Sequence, residues 1–163
     1  MIRPATVDDV PVILAFIREL AEYERLSHDV VADEAQLRAT LFGARPAAEV
    51  LVAEDPEPVG FALFFTSYST FLGKPGLYLE DLFVRPTARG RGHGLDLMAA
   101  CARIAVERDY GRFEWSVLDW NEPALAFYRK LGAVPMAEWT VQRLVGDSLV
   151  ALSRAPAAAR STR

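Results

Sequence analysis

Between residues 77 and 118 the chain reads LYLEDLFV, RPTARGRGHG, LDLMAACARIAVERDYG and RFEWSVL in succession. An apolar strand pattern, a glycine–arginine segment, an amphipathic helix pattern and a second strand pattern, in that order, predict a strand–helix–strand crossover. Such a crossover places its two strands parallel in one sheet and constrains the fold more than any other feature of the sequence. Gly90, Gly92 and Gly94 stand on alternate positions just where the helix begins. Glycine is a poor choice for a helix's first turn. Its use here is to bare the backbone: a helix N-terminus carries unsatisfied N–H groups and a partial positive charge, and a glycine-rich entry lets an anion reach them. Arg89 and Arg91 add cationic charge. The ligand this predicts is a phosphate or pyrophosphate. The spacing is neither G-x-G-x-x-G nor a P-loop, because Gly94 is followed by Leu95 and Asp96 instead of Lys-Ser/Thr.

The rest of the chain supplies the elements around this crossover. IRPAT reads as a first strand, with Thr6 and Asp9 as an approximate capping box ahead of a helix that reaches about Tyr23. The apolar face of that helix is Val10, Ile13, Leu14, Ile17, Leu20 and Ala21. Asp33 opens a second helix and Gly43 closes it. EVLVAE and VGFALFFTSYS around DPEP read as a hairpin. The crossover helix is expected to bury Leu95, Met98, Ala102 and Ala105, and to hold Cys101 as a structural thiol. NEPALAFYRKLGA reads as a helix with Asn121 as cap, Pro123 in the first turn and Gly132 as stop. Two closing strands are expected near residues 141–145 and 149–152. The order is β-α-α-β-β-β-α-β-α-β-β, a mixed α/β domain over residues 1–153, with a disordered tail over 154–163.

Composition narrows the function. The 163 residues carry 18 Lys and Arg against 22 Asp and Glu, a net charge of −4. That disfavours nucleic acid as a partner and mildly favours cationic or neutral substrates. One cysteine excludes an internal disulfide, and two histidines without ligand spacing give no metal site. No apolar run approaches the roughly 18 residues of a membrane span. A cytoplasmic protein without metal or membrane partner is expected.

Arg89-Gly90-Arg91-Gly92-His93-Gly94 resembles the Q/R-x-x-G-x-G/A motif of the GNAT acetyltransferase superfamily, and NEPALAFYRKLGA resembles that family's N-x-x-A/S-x-x-F/Y-Y-x-x-x-G-F/A stretch. IRPAT, IRELAEYE, YLEDLFV and the two motifs are similar to the diamine (spermidine/spermine) and thialysine acetyltransferases. The resemblance runs from residue 2 to about residue 152. It implies a GNAT fold: a mixed, mostly antiparallel sheet of about six to seven strands flanked by about four helices. It implies acetyl-CoA as co-substrate and direct acetyl transfer to a primary amine of a small molecule.

The resemblance also assigns roles. The loop Arg89, Gly90, Arg91, Gly92, His93 and Gly94 holds the pyrophosphate. The backbone of Leu82, Phe83 and Val84 pairs with the pantetheine arm, and the Leu82 N–H is placed to polarise the thioester carbonyl. Asn121 and Ala124 contact the cofactor. Tyr128 is the general acid for the departing thiolate, and Glu80 receives or orients the amine. Neighbouring strand residues face opposite ways, so only one of Glu80 and Asp81 is expected in the cleft. Tyr23 and Glu24 meet the acceptor's distal ammonium. The branch implies a homodimer. Ser69, Phe71, Thr140 and Gln142 stand where the polyamine enzymes carry acids and tryptophans, which favours a short acceptor, a small diamine or lysine-like amino acid, over spermine. Acetylation of a protein lysine or N-terminus and a non-catalytic acyl-CoA sensor are the competing readings.

Overall fold

The structure is a computed structural model and describes residues 1–155. The chain forms two compact units, one over Met1–Val117 and the other from Leu118 onward. The expected disordered tail falls almost wholly on residues 156–163, outside the described residues.

The first unit holds strand β1 (Ile2–Pro4), helix α1 (Val10–Tyr23), helix α2 (Glu34–Phe42), the strands β2 (Glu49–Glu54), β3 (Pro58–Ser69) and β4 (Lys74–Val84), helix α3 (His93–Glu107) and strand β5 (Phe113–Trp115). The five strands form one sheet in sequence order. All neighbours are antiparallel except β4 and β5, which pair in parallel across α3, as the crossover requires.

Helix α1 starts through a short turn in which the Thr6 N–H donates to Asp9 Oδ2 at 2.7 Å. The same Asp9 carboxylate receives Arg3 from β1 at 2.7 and 2.8 Å. The Arg3 guanidinium and the Thr6 amide hold the Asp9 carboxyl down at about 2. Helices α1 and α2 cover a cluster of Val10, Ile13, Leu14, Phe16, Leu37, Leu41, Val50, Phe61 and Phe83. Phe16 stacks on Phe61 with centroids 5.6 Å apart and is fully buried. Burying one such ring contributes about 2–3 kcal/mol. Phe16 was not part of the expected apolar face; Ile17 and Leu20, which were, are half-buried. Helix α3 buries Leu97, Met98, Cys101 and Ala105, while Leu95 and Ala102 are exposed. The expected face is therefore rotated: the pattern that packs is centred on the Leu97–Cys101 turn. Cys101 is fully buried and burial pushes its thiol up to about 12, which leaves it a packing residue.

The second unit holds α4 (Glu122–Lys130) and α5 (Gly146–Ser153). The expected strand at 141–145 has no regular structure, and residues 149–152 lie within α5. The sheet among the described residues thus has five strands instead of six to seven, with five α-helices instead of four. The physical reason is local: Leu149–Leu152 is a short apolar run, and a run that short fits a helix turn as well as a strand.

Candidate functional site

The glycine segment forms the entry to α3. Gly90 and Gly92 have φ of +78° and +91°, and a Cβ on either would meet nothing within 4 Å. Here glycine is required by the left-handed backbone, not by crowding. Gly92 is the N-cap residue of α3 and offers no side chain to cap it. The first intrahelical bond runs from the Asp96 N–H to the Gly92 carbonyl at 2.9 Å. The N–H groups of His93, Gly94 and Leu95 precede it, in the partial positive charge of a helix start. Such an end accepts a phosphate.

The side chains of the segment are arranged less uniformly than the sequence suggests. Arg89 turns back: its Nε donates to the Val84 carbonyl at 2.9 Å, and its guanidinium lies 5.0 Å from the centroid of Tyr23 and 5.9 Å from that of Phe83. Arg91 is exposed, and its Nη1 is 3.3 Å from Asp55 Oδ2. The His93 ring is turned inward and buried, with Nε2 3.1 Å from the same Oδ2. Asp55 sits in the turn between β2 and β3, and His93 and then Arg91 hold its carboxyl below its ordinary range. Sequence reasoning missed Asp55. It is one acid in a DPEP turn, and nothing local links it to a loop more than 30 residues on.

The strand that leads into this loop has an open edge. On one side, Leu82, Phe83 and Val84 pair with Ala62, Phe61 and Gly60 of β3. On the other, β5 pairs only with Leu77, Tyr78 and Leu79. Beyond Leu79 no strand among the described residues uses that edge, so an extended ligand has main-chain groups to pair with.

The β3–β4 ladder is interrupted at the carboxylates. Leu63 is opposite Asp81 and Phe64 is opposite Leu79, which leaves Glu80 as the extra residue of a bulge. A bulge suspends strict alternation and re-aims side chains. Glu80 is exposed and Asp81 half-buried. Burial, then the charge of Glu80, then that of Glu24 raises the Asp81 carboxyl to about 6. Glu24, half-buried just past the C-terminus of α1, is also raised by burial. Tyr23 beside it is half-buried under Arg89. Asp81 thus feels the negative charge of both Glu80 and Glu24, an arrangement that a nearby cation would relieve. At this bulge strict alternation does not govern Glu80 and Asp81: Glu80 is the unpaired, exposed residue, and Asp81 beside it is the one that burial perturbs.

Asn121, Ala124 and Tyr128 belong to the second unit. Asn121 is buried and caps α4, its Oδ1 accepting from the Ala124 N–H at 3.4 Å. Tyr128 and Phe127 are both half-buried, with ring centroids 5.4 Å apart. Gly132, at φ +84°, ends the helix as expected. Among the described residues no group of three or more His, Cys, Asp or Glu is placed to hold a metal, and no helix is long and apolar enough to cross a membrane.

Comparison with known proteins places the chain in a family. The profile described as Acetyltransferase (GNAT) family matches residues 14–133. L-ornithine N5-acetyltransferase of Arabidopsis thaliana is 36% identical, over 94% of this chain and 87% of that protein. Thialysine N-epsilon-acetyltransferase of Bos taurus is 40% identical, over 91% of this chain and 94% of that protein. Among solved structures, an integron cassette protein from the mobile metagenome of V. cholerae superposes with a TM-score of 0.79 at 27% identity, covering 95% of this chain and 98% of that one.

Proposed function

The chain belongs to the GNAT acetyltransferase family, and from that premise we propose that it moves an acetyl group from acetyl-CoA directly to the primary amine of a short cationic acceptor. The observation that carries this reading is one strand, β4, with an open edge, the adjacent acids Glu80 and Asp81 and the charge of Glu24 acting on Asp81, running into the bare amino terminus of α3. Anion-binding and cation-binding groups are joined by a short stretch of backbone.

Acetyl-CoA supplies the activated acyl group. The N–H groups at His93, Gly94 and Leu95, with Gly90 and Gly92 giving access and Arg89 and Arg91 adding charge, bind its pyrophosphate. Leu82, Phe83 and Val84 receive the pantetheine arm along the open edge, and the Leu82 N–H polarises the thioester carbonyl. Asn121 and Ala124 hold the arm from α4. Glu80 takes or orients the proton that leaves the attacking amine. A C–N bond forms, the C–S bond breaks, and Tyr128 gives its phenolic proton to the departing thiolate. Asp81, Glu24 and Tyr23 compensate the acceptor's remaining ammonium, which is poorly stable in a cleft without a carboxylate. Residues 1–153 act as one catalytic domain, as a cytoplasmic homodimer; light scattering giving 18.0 kDa at micromolar concentration would contradict the dimer.

The acceptor is a small diamine or a lysine-like amino acid. Two relatives bear the names of ornithine and thialysine acetyltransferases, which supports a short acceptor with an amine at one end. The test is thiol release from acetyl-CoA with ornithine, lysine, thialysine, putrescine, spermidine and spermine. We expect an amino acid or putrescine to exceed spermine by at least about tenfold in kcat/KM, about 1.4 kcal/mol of transition-state preference. Spermine as the best acceptor would sink the reading. Tyr128→Phe tests the acid. It removes one hydroxyl and keeps the ring, so turnover is expected to fall on the order of 10²-fold with little change in KM for acetyl-CoA. Near-wild-type turnover at saturating substrates would remove Tyr128 from the mechanism.

A further inference from the structure

Asp55 stands outside every role given so far, yet it meets the glycine segment at two points. Its Oδ2 is 3.1 Å from His93 Nε2 and 3.3 Å from Arg91 Nη1. Those two residues flank Gly92, whose φ of +91° no other residue type adopts readily. The carboxylate therefore bridges the segment on both sides of its left-handed glycine. Its own backbone is fixed in the β2–β3 turn, where the Asp55 N–H donates to the Glu57 carbonyl at 2.9 Å. His93 is 8% exposed and Arg91 is exposed, so of the two groups that meet the half-open Asp55 carboxylate only His93 is held in the protein interior.

We propose that Asp55 and His93 form a positioning pair that sets the direction of the backbone N–H groups at the start of α3, and so sets affinity for the pyrophosphate of acetyl-CoA. An entry built of glycines gains access at the cost of backbone entropy: Gly90 and Gly92 have many conformations to lose when a ligand orders them. A buried ring tied to a fixed turn removes much of that freedom before the ligand arrives, and preorganisation of this kind shows as affinity. The His93 side chain thus acts at a distance from the phosphates, while its backbone N–H faces them. The Arg91 contact is the secondary one, since Arg91 is 60% exposed where His93 is buried, and pairs with such a solvated cation are worth little.

The proposal rests on the glycine segment being the pyrophosphate site, and the test separates the two. Steady-state kinetics are measured with acetyl-CoA and with S-acetylpantetheine, which has the same thioester and arm but no pyrophosphate. If the wild-type enzyme uses both donors with equal kcat/KM, the site reading itself fails. Given a preference for acetyl-CoA, Asp55→Ala and His93→Ala are each expected to raise KM for acetyl-CoA about tenfold, with kcat within twofold and kcat/KM for S-acetylpantetheine within twofold. The double variant is expected to be no worse than either single one. Asp55→Asn keeps an oxygen that accepts from His93 and is expected to recover most of the loss. Equal losses with both donors would mean a general structural role, and unchanged KM for acetyl-CoA would mean that the contact is idle; either result overturns the proposal. So would Asp55→Asn behaving like Asp55→Ala. Should the alanine variants fail to fold, Asp55→Asn and His93→Gln provide the same donor comparison: Asn near wild type and a selective acetyl-CoA loss in Gln support the pair. A loss shared by both donors, or none, refutes it.

Discussion

Helices α2 and α3 begin on different chemistry. At α2 the Asp33 side chain accepts from the Gln36 N–H at 2.8 Å, and the Gln36 side chain accepts from the Asp33 N–H at 3.0 Å. That end is closed: its donors are met by the chain itself. At α3 the cap position is Gly92, with no side chain, and the next donors are met by nothing in the helix. Asn121 at α4 follows the α2 pattern. A closed start spends its dipole on stability, and an open one leaves it for a ligand. The chain has the means to cap helices and does not use them at α3.

The largest expected effect comes from converting the open start into a closed one. Gly92→Asp places a carboxylate at the cap position of α3, where it can accept from the helix's own amides and repel a phosphate. We expect KM for acetyl-CoA to rise on the order of 10²-fold or more, from charge, occupancy and left-handed strain together, and thermal stabilisation by coenzyme A to disappear. Gly92→Ala carries the strain alone and is expected to do less. If coenzyme A still stabilised Gly92→Asp as it does the wild type, α3 would not be the open start described here.

A second, smaller effect sets the open start of α3 against the proposed cation end on β4. The raised Asp81 carboxyl means that its ionised form is disfavoured in the folded protein. The sign follows from linkage: an acid whose folded value, about 6, exceeds its unfolded value of about 4 contributes stability that is fully present below pH 4 and lost as pH rises through 6. Asp81→Asn removes that loss. It is expected to match wild type near pH 4 and to be more stable at pH 8, by about 1–3 kcal/mol. The same change is expected to lower kcat/KM for a diamine about tenfold at pH 8, with the wild-type advantage shrinking below pH 6. Lower stability at pH 8, or an unchanged acceptor profile, would remove Asp81 from the cation end.

The two ends were not equally legible in the sequence. The α3 entry is built from backbone, and backbone needs are written locally: glycines for left-handed φ, a strand pattern before, a helix pattern after. Caps and stops at Asp33, Asn121, Gly43 and Gly132 were legible for the same reason, and so were β2, β3 and β4. The proposed cation end depends on a bulge at Glu80 that no glycine or proline announces; it arises from the pairing of two strands. The turn of Arg89 onto Tyr23 and the contact of His93 with Asp55 are likewise products of tertiary packing. Near the C-terminus the short apolar run at 149–152 carried too little pattern to tell a helix from a strand, and it formed α5.

The smallest expected effect is the control that gives the comparison its meaning. Asp33→Ala opens the closed start of α2 without touching α3. The variant loses the acceptor for the Gln36 N–H, and the reciprocal Gln36 contact loses its anchor. Caps of this kind are worth about 1 kcal/mol, which in a chain of this length lowers Tm by about 2–4 °C. Leu37 and Leu41 remain buried against α1, so the helix is expected to persist and the loss to stay at that size. Asp33→Asn, which keeps a side-chain oxygen, is expected to recover nearly all of it. Neither variant is expected to move KM for acetyl-CoA by more than about twofold, because an opened helix start binds phosphate only where glycines admit it and flanking groups aim it. A Tm unchanged by Asp33→Ala would show that the α2 cap is not contributing. A gain in coenzyme A binding there would break the distinction from the other side, by showing that a bare helix start is enough without the glycine entry of α3.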